Sequence, residues 1–134
     1  MMQQNRRRKK RAGAAVVELA VCLPLLVLIS LATVEACAMI YLKQSLKIAA
    51  YEGARVGMVP GADPTNVLAQ SDLILVNRDI ADYGVTLSPT DPSSLQPGDF
   101  FRVSVSAPCT PNSLIGGWFY DGRQFTESVE VMAE

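Results

Sequence analysis

The chain has 134 residues, 49% of them hydrophobic and 19% charged, with no histidine and a net charge of −1. That balance hides an asymmetry: six of the twelve Lys and Arg residues form the unbroken run 6–11, no acid precedes Gly13, and everything after it carries a net charge of −7. Outside the first dozen residues no basic surface remains to hold nucleic acid, a histidine-based triad is excluded by inventory, and Cys22, Cys37 and Cys109 lack metal-ligand spacing.

Residues 6–42 read RRRKKRAGAAVVELAVCLPLLVLISLATVEACAMIYL, six cations, a small-residue junction, and an apolar run broken only by Glu18 and Glu35. The run exceeds the ~20 residues that cross a ~30 Å hydrocarbon core, and the basic block keeps its N-terminal end cytoplasmic by the positive-inside rule. Residues 14–42 are accordingly assigned to a transmembrane helix, and 1–13 to a basic leader without an apolar run, a targeting segment that does not fold by itself. Three routes of processing are compatible with the residues. A signal peptidase would use the small-x-small site Ala36-Cys37-Ala38. A lipoprotein-type cut would use Cys37, although Glu35 is unsuited to its position. A cut between Gly13 and Ala14 would leave the whole helix in the product. Glu18 speaks for the third: a carboxylate within a membrane helix costs ~2.5–3.5 kcal/mol at the helix centre, less near its end, and is normally partnered. The amine freed on Ala14, of the same chain or of a neighbour, is a natural counter-ion; a Glu18 reaching out to interfacial water is the plainer reading.

The pieces Gly13-Ala14-Ala15-Val16-Val17-Glu18, Leu23-Pro24-Leu25-Leu26, Val34-Glu35 and Ala49-Ala50-Tyr51-Glu52-Gly53-Ala54-Arg55 occur in one order and register. Together they resemble the TadE-like pseudopilins of tight-adherence (Tad) pilus systems, over roughly residues 11–57. Leu19 stands where that family usually has an aromatic. The resemblance implies cleavage between Gly13 and Ala14 by a prepilin peptidase, an assembly role for Glu18, and partners among other pilin-like subunits and the pilus assembly machinery.

Pro24 is the only strong helix breaker between Ala14 and Pro60, so a nearly continuous helix of ~44 residues, ~66 Å long, is predicted, with residues 43–58 extending beyond the membrane. Pro24 removes one helical hydrogen bond and predicts a kink or, by resemblance to pilin helices, a point that unwinds on assembly. Glu35 is read as a contact to another subunit or an interfacial carboxylate facing water, and Tyr41 suits the same interface. The small residues Ala49, Ala50, Gly53, Ala54 and Gly57 permit close backbone approach. The chain's own ectodomain is the favoured occupant there, with a neighbouring subunit against Gly53 and Gly57 as the alternative.

Residues 59–134 read as a small α+β ectodomain. Pro60-Gly61 ends the long helix, and Asp63-Pro64 caps a second one that runs to about Tyr83, with Gly84 as its stop and Val67, Leu68, Leu75, Val76 and Ile80 as its buried stripe. Strands follow at 85–88, 101–107, where Phe101, Val103, Val105 and Ala107 alternate with polar residues, and 126–132, giving a three-stranded antiparallel sheet. Between the last two strands, Leu114, Ile115, Trp118, Phe119 and Tyr120 are expected to fold over the sheet as core, the alternative being an exposed contact patch. Cys109 has no partner in its own domain.

No catalytic constellation, metal site or cofactor motif is found. The sequence therefore predicts a pilin-like α+β chain: a structural subunit, not an enzyme, single-pass in a bacterial inner membrane with its C-terminal domain extracytoplasmic, oligomeric in a filament of adhesion or secretion. The alternative is a small binding domain, held by an uncleaved signal anchor or secreted after cleavage.

Overall fold

The computed structural model describes residues 2–59 and 61–133, with side chains from Gly13 onward. The element order is α1 (Met2–Gly57), α2 (Pro64–Asn77), β1 (Gly84–Ser88), β2 (Phe100–Pro108) and β3 (Gln124–Met132), with short 3-10 turns at Pro92–Ser94 and Thr110–Asn112. Helix α1 begins at Met2, so the segment 1–13, expected not to fold, is helical from Met2 on. Its Gln, Arg and Lys residues are good helix formers and no breaker separates them from the apolar run, so the helix propagates backward. At the other end α1 stops at Gly57, ahead of Pro60, which lies outside the described residues.

The chain divides into two compact units, Met1–Val34 and Glu35–Glu134. In the first, the large apolar side chains from Val16 to Val34 are all substantially exposed and no residue from Gly13 on is buried. A helix apolar all round with no protein against it has the character of a membrane span. Its hydroxyls are satisfied locally: Ser30 and Thr33 donate to the carbonyls of Leu26 and Ile29, both at 2.8 Å.

In the second unit burial along α1 becomes periodic. Glu35, Met39, Leu42, Ser45, Leu46, Ala49, Ala50, Gly53, Ala54 and Gly57 are buried, a stripe stepping by three and four residues. It packs against the apolar face of an antiparallel meander ordered β1-β2-β3. The register pairs Leu87 with Val103 and Val103 with Val129, so side chains of one parity share each face. Phe101, Val103, Val105 and Ala107 are fully buried on the inner face, as their alternation predicts. On the outer face Arg102 pairs with Glu130 across the strands, its Nε donating at 2.8 Å. The packed unit thus takes in helix residues 35–57, including the last turns of the segment 14–42 assigned to the membrane.

Helix α2 starts as the sequence predicts: Asp63 accepts hydrogen bonds from the Thr65 backbone N–H (2.8 Å) and hydroxyl (2.7 Å), with Pro64 at the first helical position. These bonds, the hydroxyl's first, lower the Asp63 pKa below its ordinary value of 3.8. The helix ends at Asn77, however, not near Tyr83, and Gly84 opens β1. Between them Asp79 and Asp82 adopt positive φ (53° and 55°), a conformation Asp tolerates and a helix does not. The buried stripe of α2 is Val67, Ser71 and Leu75; Leu68 and Val76 face outward, and Ile80 is buried from the loop beyond the helix. Ser71 donates to the carbonyl of Ala49 at 3.1 Å, tying α2 to α1.

The expectation that residues 114–120 form core is corrected by the structure. Leu114, Trp118 and Phe119 are 71%, 83% and 53% exposed, and only Ile115 and Tyr120 are partly buried. The buried stripe of α1 and the side chains of α2 already cover the sheet's inner face, leaving no room there for the aromatics.

Candidate functional site

Two sets of residues are candidates for a functional role, one in each unit. In the first, Gly13, Ala14 and Glu18 lie on one uninterrupted helix and are exposed. A Cβ added at Gly13 would meet nothing within 4 Å, so no packing within the chain demands glycine there. Ala14 and Glu18 are four residues apart and share a face. No hydrogen bond or ion pair to Glu18 occurs among the described residues. Pro24 sits inside α1, where its missing N–H leaves the carbonyl of Ala20 without its helical donor.

The second set is built around Glu35, which neither faces water nor waits for another subunit. It is fully buried and engaged by its own chain. Oε1 accepts from the Ser113 hydroxyl at 2.6 Å and Oε2 from the Ile115 backbone N–H at 3.2 Å. Ser113 Oγ in turn accepts the N–H groups of Ile115 (3.3 Å) and Gly117 (2.6 Å). One carboxyl and one hydroxyl thereby satisfy the backbone of a loop that would otherwise leave buried donors unpaired. Asn112 closes the same loop on the other side, accepting from Ala81 N and donating to the carbonyls of Ala81 and Pro108 at 2.8–3.0 Å.

Beside this clasp lies a cavity of about 530 Å³ whose walls include Cys37, Tyr41, Arg78, Ile80 and Leu114. Arg78 stacks 5.7 Å from the Tyr41 ring centroid and donates to Ser45 Oγ at 3.3 Å, while the Tyr41 hydroxyl donates to the Arg78 carbonyl at 3.4 Å. Cys109 is buried close by and free; burial is the main reason its thiol pKa is raised, with Arg123 opposing and Glu35 reinforcing the shift. Cys22 and Cys37 are exposed and free.

Gly53 and Gly57 meet the chain's own domain, as the favoured reading of the small-residue stretch predicts. A Cβ at Gly53 would overlap Ser71 Oγ and lie 3.5 Å from Val103 Cγ1, and one at Gly57 would overlap the Phe101 ring, 2.7 Å from Cδ1 and 2.8 Å from Cζ. Glu52 and Arg55 pair at 3.4 Å, and Lys43 reaches Glu127 of β3 at 3.5 Å. Sequence reasoning missed the Ser113 clasp. The signal was available: Glu35 precedes Met39, Leu42, Leu46, Ala49 and Gly53 on the buried register of α1, which marks it as inward-facing.

Residues 13–55 match the family model for TadE-like protein, the family whose motifs the sequence carries. The match covers the helix from the Gly13 junction through Arg55 and stops before α2 and the sheet. The matched segment is TadE-like, and its helix is long and apolar enough to cross a membrane. No curated protein and no solved structure shows a significant match to the chain.

Proposed function

We propose that this chain is a pilin-like structural subunit, a minor pilin or pseudopilin, of a Tad-type type IVb pilus or secretion apparatus. A prepilin peptidase removes the basic leader between Gly13 and Ala14. Residues 14–34 then span the inner membrane with the amino terminus on the cytoplasmic side: about 21 residues at 1.5 Å each give roughly 31 Å, the thickness of the hydrocarbon core. The sheet domain lies on the extracytoplasmic side, where it serves adhesion or secretion once the subunit joins a filament. Pro24 gives the span a weak turn at which the helix can unwind as subunits pack.

The observation that carries this reading is the coincidence, on one helix, of the family match, the exposed Gly13-Ala14 junction, a Glu18 without a partner among the described residues, and an exposed apolar run from Val16 to Val34. Glu18 meets the amine freed on Ala14 of a neighbouring subunit, which fixes axial register in the filament. Glu18→Ala is therefore expected to insert into the membrane normally while its recovery in sheared surface filaments falls about tenfold or more, the equivalent of ~1.4 kcal/mol. Recovery equal to that of the unaltered chain would contradict the pairing role.

A second reading, a binding domain on an uncleaved anchor, is favoured by one observation, the exposed Leu114, Trp118 and Phe119. It requires the leader to remain attached.

A further inference from the structure

We infer that the packed unit Glu35–Glu134 binds a second copy of itself, the exposed Trp118 of each copy entering a cavity beside Arg78 on the other. Every residue involved lies within that unit, so the inference is independent of the leader, the apolar run and the pilus reading. The receiving site is the cavity of about 530 Å³ walled by α1, the turn after α2 and residues 111–114. Asn112 and Ser113 on that wall are fully engaged by the loop itself, and Asp79 is exposed at the rim. Arg78 is not engaged in that way. Its Nη1 donates to Ser45 Oγ and its guanidinium stacks on Tyr41, yet no carboxylate pairs with it among the described residues. A planar cation with N–H groups to spare, set among Tyr41, Leu42, Ile80 and Leu114, suits an aromatic ring, and an indole best of all.

The entering group stands on the same loop. Trp118 and Phe119 are 83% and 53% exposed, and Leu114, 71% exposed, belongs both to this knob and to the cavity wall. The bonds of Ser113 and Ile115 to Glu35, and of Gly117 to Ser113, hold the knob beside its own chain's cavity and not inside it. Knob and hole side by side on one surface are self-complementary: a two-fold rotation lays the knob of each copy over the hole of the other, the isologous arrangement commonest in homo-oligomers. Charge agrees with this pairing. Asp121, three residues after Trp118, accepts from the Thr110 hydroxyl at 3.2 Å and has no cation partner among the described residues, so the knob brings a carboxylate towards the hole's unpaired arginine. Size agrees as well, since a cavity of about 150 Å³ already admits benzene. Trp and Arg are also the side chains that most often dominate the energy of an interface.

Cys37, exposed in the cavity wall, supplies a reporter. Two full-length chains with different affinity tags are purified in detergent, both carrying Cys22→Ser; the first also carries Cys37→Ser and Trp118→Cys, and the second keeps Cys37 and Trp118. Mixed and oxidised with copper–phenanthroline, they are expected to give a disulfide-linked heterodimer whose peptides map to position 37 of one chain and 118 of the other. Moving the introduced thiol to Phe100→Cys, 63% exposed at the far end of β2, leaves only background linkage. Arg78→Gln in both chains, with unchanged circular dichroism, lowers the yield about threefold or more. Absence of the heterodimer between chains of unchanged circular dichroism overturns the inference. So does equal linkage through Phe100→Cys, because the chains then meet through another surface, and so does a yield that Arg78→Gln leaves unaltered.

Discussion

Alanine at Gly57 lowers the stability of the sheet domain by about 1–3 kcal/mol, the usual range for overpacking a filled core, although the same change in an unpacked helix adds ~1 kcal/mol. The sign reverses because the added methyl overlaps the Phe101 ring, which is fully buried on the inner face of β2 and must shift to admit it. Chemical denaturation of the full chain in detergent, followed by near-ultraviolet circular dichroism, measures the difference. A midpoint equal to or above that of the unaltered chain would mean that α1 does not lie against β2 at this closeness. The prediction discriminates because the alternative occupant of Gly57, a neighbouring subunit, would leave the isolated chain stabilised by alanine and only the filament impaired.

Glu35→Ala is the second large effect. It removes the acceptor of the Ser113 hydroxyl and one of the two acceptors of the Ile115 N–H, which keeps Ser113 Oγ at 3.3 Å, and a buried donor left unpaired costs about 1–3 kcal/mol. A loss of ~1–3 kcal/mol is expected, concentrated in the loop that carries Trp118 and not spread over the sheet. Hydrogen exchange resolves this: the amides of Ile115 and Gly117 lose protection while those of β2 and β3 keep most of theirs. Glu35→Gln retains the side chain's size and one acceptor oxygen, so it loses less. Unchanged protection at Ile115 in the alanine variant would show that the clasp does not hold the loop.

These two positions also mark where the sequence is a good guide and where it is not. The sheet was legible because period-two alternation over 101–107 has no helical counterpart, and the expected three-stranded antiparallel sheet formed, in the order β1-β2-β3. The length of α1 followed from the scarcity of breakers, and the favoured partner of Gly53 and Gly57 from the cheapness of packing within one chain. The end of α2 was not legible from apolar spacing, because Ile80 fits the helical stripe yet reaches the core from a loop turned by Asp79 and Asp82. Counting the two aspartates as left-handed formers, not as solvent-facing helix residues, would have stopped the helix earlier. The destination of Glu35 depends on Ser113, 78 residues away, a separation no local pattern spans. For residues 114–120, apolar density suggested burial, but the inner face of a three-stranded sheet is filled by one helix stripe and part of another. The surplus aromatics are left outside.

The junction at Gly13, Ala14 and Glu18 has the opposite character: it was read from sequence alone, and the fold adds only that these residues are exposed and that Glu18 has no hydrogen bond or ion pair among the described residues. On the proposed function the junction is used by other molecules, first a peptidase and then a neighbouring subunit. The central claim is accordingly chemical and concerns one peptide bond. Intact-mass spectrometry of the chain purified from a host with its own pilus machinery tests it most directly. The account predicts a single species whose first residue is Ala14, converted to the full-length mass when the prepilin peptidase is deleted; a species beginning at Met1 or at Met39 in the presence of the peptidase would contradict it.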